Sequence, residues 1–369
     1  MGQTLPVETK KHQKEFKTNN FDLLRLIAAT QVIIDHYYQH LQIPLSKTSQ
    51  NILYLFPGVP MFFVISGYLI SASLERNDNL LIYFKNRALR IFPGLWGVVF
   101  ITILVFSLTG VSFVNIQTIT WLPCQLAGLI YTPAFLTNYG FGSYNGSLWT
   151  LPIELQFYIV LPICYFLIPK NKQGSWFYWL LAIFILFNLA IFLFLHYQYG
   201  YQIGDDFVGF IPKLISYSFV PYFYLFVIGV VLRRLRIYNL PFIRNKALYW
   251  VICYITFSLL LSTFINPVLN YGAYSVFLVL KNVFLAFVIL SLAYTLPNTA
   301  SNLLRTNDIS YGIYIYHGLI LTVLVQLKLT GYVNLFMIIA ATYLFAWLSW
   351  IFIEKPFIKR KEKTIRSTI

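Results

Sequence analysis

The first apolar stretch, FDLLRLIAATQVIIDHYYQH over residues 21–40, carries Asp22, Arg25, Asp35, His36 and His40. Ionisable groups inside a bilayer are costly, so each is a functional candidate. Arg25 and His36 are eleven residues apart, close to three helical turns, and so share one stripe with an axial offset of about 16 Å. The stripe offers a cation near one end and, deeper along it, an imidazole suited to proton transfer near neutral pH. His36 and His40 have the i,i+4 spacing of paired metal ligands. No third ligand is placed by the sequence and HExxH is absent, so no metal is expected.

Further candidates lie downstream. In YFKNRALRIFPG, Arg87 and Arg90 are i,i+3 neighbours, which on a helix aims both guanidinium groups one way, a fork suited to phosphate. In SYNGSLWTLPIELQFY, Glu154 falls about two turns into a helix beginning near Ser147, where a carboxylate needs a partner. Trp149 offers a flat face for a sugar or an interfacial anchor. In DISYGIYIYHGLI, Ser310, Tyr314 and His317 share one helical face, either lining a cavity or bonding helices together. Glu354 meets a basic tail and reads as half of an interfacial ion pair.

The elements that must position these groups are transmembrane helices. Of 369 residues, 58% are hydrophobic and only 11% charged, against about 25% charged in soluble domains. A soluble enzyme and a disordered chain are excluded. Apolar runs near 21–41, 56–74, 91–109, 147–168, 175–196, 214–232, 247–265, 273–296, 309–327 and 332–353 have about the length of a spanning helix. An eleventh run, 121–137, is shorter and contains Pro123 and Pro133. If it crosses, the basic loop 233–246 lies opposite the basic termini. If it is re-entrant or interfacial, 22 of the 27 Lys and Arg share one face, as positive-inside asymmetry requires.

The expected fold is therefore an all-α integral membrane protein of about ten transmembrane helices, with both N- and C-termini cytoplasmic. It divides into a polar tail 1–20, a membrane domain 21–357 and a basic tail 358–369. The net charge of +15 reads as topogenic, so no nucleic-acid partner is expected. The tail could also meet anionic membrane lipid. Cys124, Cys164 and Cys253 show no disulfide or zinc spacing.

Taken in order, these pieces resemble the acyltransferase-3 family of integral membrane O-acyltransferases, which modify bacterial envelope glycans. The resemblance runs through Arg25 and His36, GVPMFFVISGYLI at 58–70, Arg87 and Arg90, GSLWTLPIELQFYIVLP at 146–162, ISYGIYIYHGLI at 309–320 and IEKPF at 353–357. It implies a multi-pass protein of the bacterial cytoplasmic (inner) membrane. That protein would transfer an acyl group, acetyl by preference, from cytosolic acyl-coenzyme A to a hydroxyl of an extracytoplasmic glycan or lipid-linked saccharide. Acyl-coenzyme A is then a donor substrate, and no cofactor is held permanently. The resemblance makes His36 the catalytic histidine with Arg25 its companion, and Arg87 and Arg90 the donor-binding pair. Trp149, Glu154 and His317 fall at core or acceptor-side positions, and Glu154 is grouped here with the catalytic set. Ser310 and Tyr314 join Trp149 and His317 as acceptor-side candidates. Some members carry an added extracytoplasmic hydrolase-like domain, so this chain is expected to act alone or with a separate extracytoplasmic partner protein.

Two other readings compete. A transporter or flippase for an envelope precursor explains polar helices and a basic face, but accounts less well for the Arg87–Arg90 element, and no related halves are visible. A lipid-sugar glycosyltransferase would need acidic residues outside the membrane, where Asp205 and Asp206 are the only pair.

Overall fold

A computed structural model describes residues 19–76, 79–167, 173–200, 209–265, 271–305, 307–331 and 333–359. The tails 1–18 and 360–369, and Asp205 and Asp206, lie outside the described residues. No strand occurs among the described residues, and the chain is a bundle of helices. In chain order these are α1 (Phe21–His40), α2 (Lys47–Leu53), α3 (Gly58–Glu75), α4 (Leu80–Leu108), α5 (Ile116–Leu126), α6 (Thr150–Leu167) and α7 (Gln173–Tyr199). They continue with α8 (Phe210–Ser216), α9 (Phe223–Arg234), α10 (Ala247–Phe264), α11 (Tyr271–Ala293), α12 (Thr299–Leu304), α13 (Ser310–Gln326) and α14 (Leu335–Ser349). A π-helical turn, Trp350–Glu354, extends α14.

Among the described residues seven helical stretches are long and apolar enough to cross a membrane, and Ser310–Gln326 is a shorter apolar helix. The sequence expectation counted ten. The helices at 21–40 and 223–234 fall short for physical reasons. α1 carries Asp22, Arg25 and Asp35, and α9 has only 12 residues. α9 lies inside the bundle, and α1 buries one face against α3 and α13. Every residue of α9 from Phe223 to Leu232 is buried. The run 121–137 does not form one helix. α5 has 11 residues, about 16 Å of length and roughly half a hydrocarbon core.

The centre is built on close backbone contact. α3 packs along α9, and α1 packs against α3 and α13. A Cβ at Gly67 would sit 1.9 Å from the carbonyl oxygen of Phe226, and one at Gly229 would sit 2.1 Å from that of Val64. Small residues thus let two inner helices touch backbone to backbone, the usual basis of helix association where lipid removes the hydrophobic drive. The outer helices α7, α10 and α14 bury far less of themselves. The segment YFKNRALRIFPG is wholly helical, because α4 starts at Leu80, capped by the Asn79 side chain, and passes through Pro93.

Candidate active site

Two cavities line up along α1. The wider encloses about 720 Å³ around His36, Asp35, Asn145, Trp149, Lys213 and Tyr222. The narrower, about 70 Å³, holds Arg25, Arg90, Glu154, Tyr158, Ser310 and Tyr314. Val59 at the start of α3 lines both. The axial offset along α1 therefore separates two chambers, and Val59 sits where they meet.

In the wide cavity the half-buried His36 has a defined tautomer. His317 on α13 is fully buried, and its Nδ1–H donates to the Ile313 carbonyl oxygen at 3.0 Å, since a carbonyl has no proton to give. His317 Nε2 is then a lone pair, and it accepts from His36 Nδ1–H at 2.9 Å. This hydrogen-bond network leaves His36 Nε2 unprotonated, on a residue that lines the cavity. A buried orienting group behind a histidine that can accept a proton is the relay logic of general-base catalysis.

The glycine-rich loop 138–146, NYGFGSYNG, borders the chamber through residues 143–146. The Gly140 backbone N–H donates to Gln326 Oε1 at 2.9 Å, and Thr322 Oγ1 donates to the Ser143 carbonyl at 3.1 Å. Gly140 has φ +61°, and a Cβ there would lie 2.1 Å from Thr322 Oγ1, so only glycine lets the loop seat on α13. Asn145, buried, donates through Nδ2 to the Ile315 carbonyl at 2.8 Å and accepts from Ser147 Oγ at 2.6 Å. His40 stacks on Phe141 of the same loop at 3.9 Å between ring centres. Trp149 and Tyr222 bring two ring faces to the chamber, with centres 5.6 Å apart.

The narrow cavity is an ionic cluster. Asp308, in the loop before α13, takes Arg25 Nη2 at 2.7 Å and Arg90 Nη2 on the same carboxylate oxygen. Its other oxygen accepts from Ser310 Oγ at 2.5 Å and from the Ser310 backbone N–H at 3.2 Å. Arg25 also reaches Asp22 at 2.5 Å. Neighbouring Asn307 Oδ1 accepts from Trp350 Nε1 at 3.0 Å and Lys355 Nζ at 2.9 Å, tying the π-helical turn to this loop.

The structure divides the sequence candidates between these chambers. His36, Trp149 and His317 assemble at the wide one. Arg25, Arg90, Glu154, Ser310 and Tyr314 assemble at the narrow one, where Glu154 accepts from Tyr158 OH at 2.5 Å. Tyr314 OH bonds Thr150 Oγ1 at 2.6 Å and donates to the Ser147 carbonyl. Glu154 is thus grouped with the arginines and not with His36.

Arg87 and Arg90 do not act as one fork. Arg90 is drawn to Asp308, whereas Arg87 donates to Ser73 Oγ at 3.3 Å and lies 5.8 Å from the Tyr158 ring centre. Among the described residues Glu354 forms no ion pair. It is buried and accepts from Ser349 Oγ at 3.0 Å. Sequence reasoning missed Asp308 as the shared anion and Asn145 as the loop anchor. The available signal for Asp308 was a lone carboxylate two residues before a spanning-type helix, opposite two arginines in need of a counter-charge. Among the described residues, no three His, Cys, Asp or Glu side chains form a metal-binding group.

The chain is 29% identical over 371 residues to Nodulation protein 10 of Rhizobium leguminosarum bv. viciae, covering 94% of this chain and 95% of that protein. It is 32% identical over 186 residues to an O-acetyl transferase of Shigella phage Sf6, covering 47% of this chain and 53% of that protein. No solved structure matches the chain. The family model described as an acyltransferase domain matches residues 18–354, a span that takes in His36, His317, Asp308 and both chambers, and the chain belongs to that acyltransferase family.

Proposed function

We propose that the protein is a membrane O-acetyltransferase. It moves acetyl from acyl-coenzyme A to a hydroxyl of an extracytoplasmic glycan or lipid-linked saccharide, with His36 as the general base. The observation that carries this reading is the His36–His317–Ile313 hydrogen-bond relay, which leaves a proton-accepting nitrogen on a residue lining the 720 Å³ chamber.

A thioester is already activated, so the site must deprotonate an alcohol and stabilise the charge that forms. The acceptor O–H gives its proton to His36 Nε2 as its oxygen bonds the thioester carbonyl carbon. The resulting imidazolium keeps its Nδ1–H bond to His317. Collapse of the tetrahedral adduct breaks the carbon–sulfur bond, and His36 returns the proton to the departing thiolate, so coenzyme A leaves as its thiol. The ring faces of Trp149 and Tyr222 suit a saccharide. The excess of Lys and Arg on one expected membrane face supports donor entry from the cytoplasm. The phage relative's printed name supports the acetyl group.

The test uses the protein in lipid vesicles with acetyl-labelled acetyl-coenzyme A and a panel of envelope glycans and lipid-linked saccharides. Label is expected on one acceptor with the wild type and on none with His36→Ala. Undiminished transfer by His36→Ala overturns the role of His36, and no transfer by the wild type to any acceptor overturns the reading itself.

A further inference from the structure

A third cavity, about 680 Å³, lies beside the His36 chamber and is used by nothing described above. It is bounded by Tyr54 and its neighbours after α2, by the C-terminal half of α10 and by the first half of α11. Its polar lining includes Asn51, Ser258, Ser262 and Lys281, and its apolar lining includes Phe192, Leu225, Leu259 and Leu278. Lys281 is the eleventh residue of the 23-residue α11, halfway along a helix otherwise apolar enough to span a bilayer. A lysine at that depth is expensive unless its charge is met. Its Nζ reaches the Tyr54 carbonyl at 3.5 Å, the outer limit of a hydrogen bond, and lies 6.0 Å from the Tyr254 ring centre. Among the described residues no carboxylate forms an ion pair with it. Among the described residues this cation is thus met by a weak dipole and a ring face alone.

The third cavity also shares a wall with the reaction chamber. Tyr54, Pro57, Pro60 and Tyr222 line both. Tyr54 spans the boundary, because its hydroxyl donates to Asp35 Oδ1 at 2.8 Å on the His36 side while its carbonyl faces Lys281. A ligand filling both spaces needs a polar, hydroxyl-bearing end for the first and an anionic junction followed by an apolar chain for the second. Lysine is a point-charge binder of phosphate, and serine and asparagine side chains supply further donors to its oxygens.

We propose that this cavity holds the phosphate and proximal hydrocarbon of a lipid-phosphate-linked saccharide. Lys281 binds the phosphate, and the saccharide reaches past Tyr54 and Tyr222 towards His36. The inference rests on the acetyl-transfer reading above and narrows its acceptor to a phosphoglycolipid. Anchoring the lipid junction holds the sugar at the base and converts an encounter of two dilute reactants into a positioned one.

The test measures binding to the purified full chain in phosphatidylcholine nanodiscs with two probes, farnesyl-phosphoryl-glucose and the phosphate-free farnesyl glucoside. Wild type is expected to bind the phosphorylated probe about tenfold more tightly, the scale of one charge-assisted hydrogen bond. Lys281→Ala is expected to erase that preference and Lys281→Arg to retain most of it. Lys281→Met serves as the neutral variant if alanine prevents folding. Equal affinities in wild type, or a preference that survives in the neutral variants, overturn the proposal. So does loss of the preference when phosphatidylglycerol or inorganic phosphate is added, since the cavity would then take any anionic headgroup or free phosphate. Acetyl transfer to the same probes separates the two readings. Lysine-dependent binding with no transfer to these probes or to any acceptor of the panel overturns the acetyl-transfer reading and leaves the cavity assignment standing. Transfer without phosphate preference overturns the cavity assignment alone.

Discussion

The two ends of α1 solve opposite problems with the same kind of costly residue. At the Arg25 end two guanidinium groups converge on one buried carboxylate, Asp308, and the space left is about 70 Å³. At the His36 end two imidazoles are joined by one hydrogen bond, the rear one anchored on the Ile313 carbonyl, beside about 720 Å³ of open chamber. Charges buried in a bundle must be paired, and pairing fills the site. A histidine can stay neutral, so it can be oriented from behind and still leave its front free. The contrast teaches that the arginine end ties helices α1, α4 and the α13 loop together, while the histidine end keeps the open space that the proposed chemistry needs.

The sharpest break of this comparison is between activity and stability. His36→Ala is expected to lower kcat for acetyl transfer by about 10²–10⁴-fold, the usual contribution of a positioned general base, with an unchanged melting temperature. Asp308→Asn should do the reverse first. Removing the carboxylate shared by Arg25 and Arg90 is expected to cost about 3 kcal/mol of stability, read as a lower melting temperature and poorer yield. If Asp308→Asn melts like wild type, the ionic cluster is not structural and the contrast fails.

A smaller effect separates the base from its support. His317→Ala is expected to reduce kcat by about 10–100-fold, as loss of an orienting partner does, with KM for acetyl-coenzyme A little changed. His317→Gln keeps an acceptor for His36 Nδ1–H and should recover part of the loss, with kcat still following the wild-type pH profile. Equal losses for alanine and glutamine would mean that His317 only fills space. The smallest effect belongs to the wall between chambers. Tyr54→Phe deletes the bond to Asp35 and should raise the acceptor KM by no more than about tenfold, the scale of one hydrogen bond. A large fall in kcat there would make Tyr54 part of the reaction centre.

Much of this organisation was legible in the sequence, for reasons that differ by residue. Arg25 and His36 stood out because a polar group in an apolar run has few uses. Their offset along the axis follows from helix geometry alone. His317 was legible as a residue of one helical face, but its partner was not, since 281 residues separate it from His36. Glu154 was visible as a costly carboxylate, yet nothing local said that it would face Arg25 and Arg90. Helices α1 and α9 escape a length-and-hydropathy criterion because α1 carries charges that meet partners on other helices and the buried α9 has only 12 residues.

The sequence by itself determined that this chain is an all-helical membrane protein with a basic bias, and it exposed which ionisable groups needed an explanation. Those conclusions follow from the cost of moving polar groups into hydrocarbon, which depends on residue type and spacing within one segment. Only the tertiary structure decided which of these groups meet. It joined Arg90 with Arg25 through Asp308 and parted it from Arg87, set the His36 tautomer through His317 and put Lys281 in a cavity beside the His36 chamber. Such pairings arise from contacts between helices distant in sequence, and a short-range pattern carries no record of them.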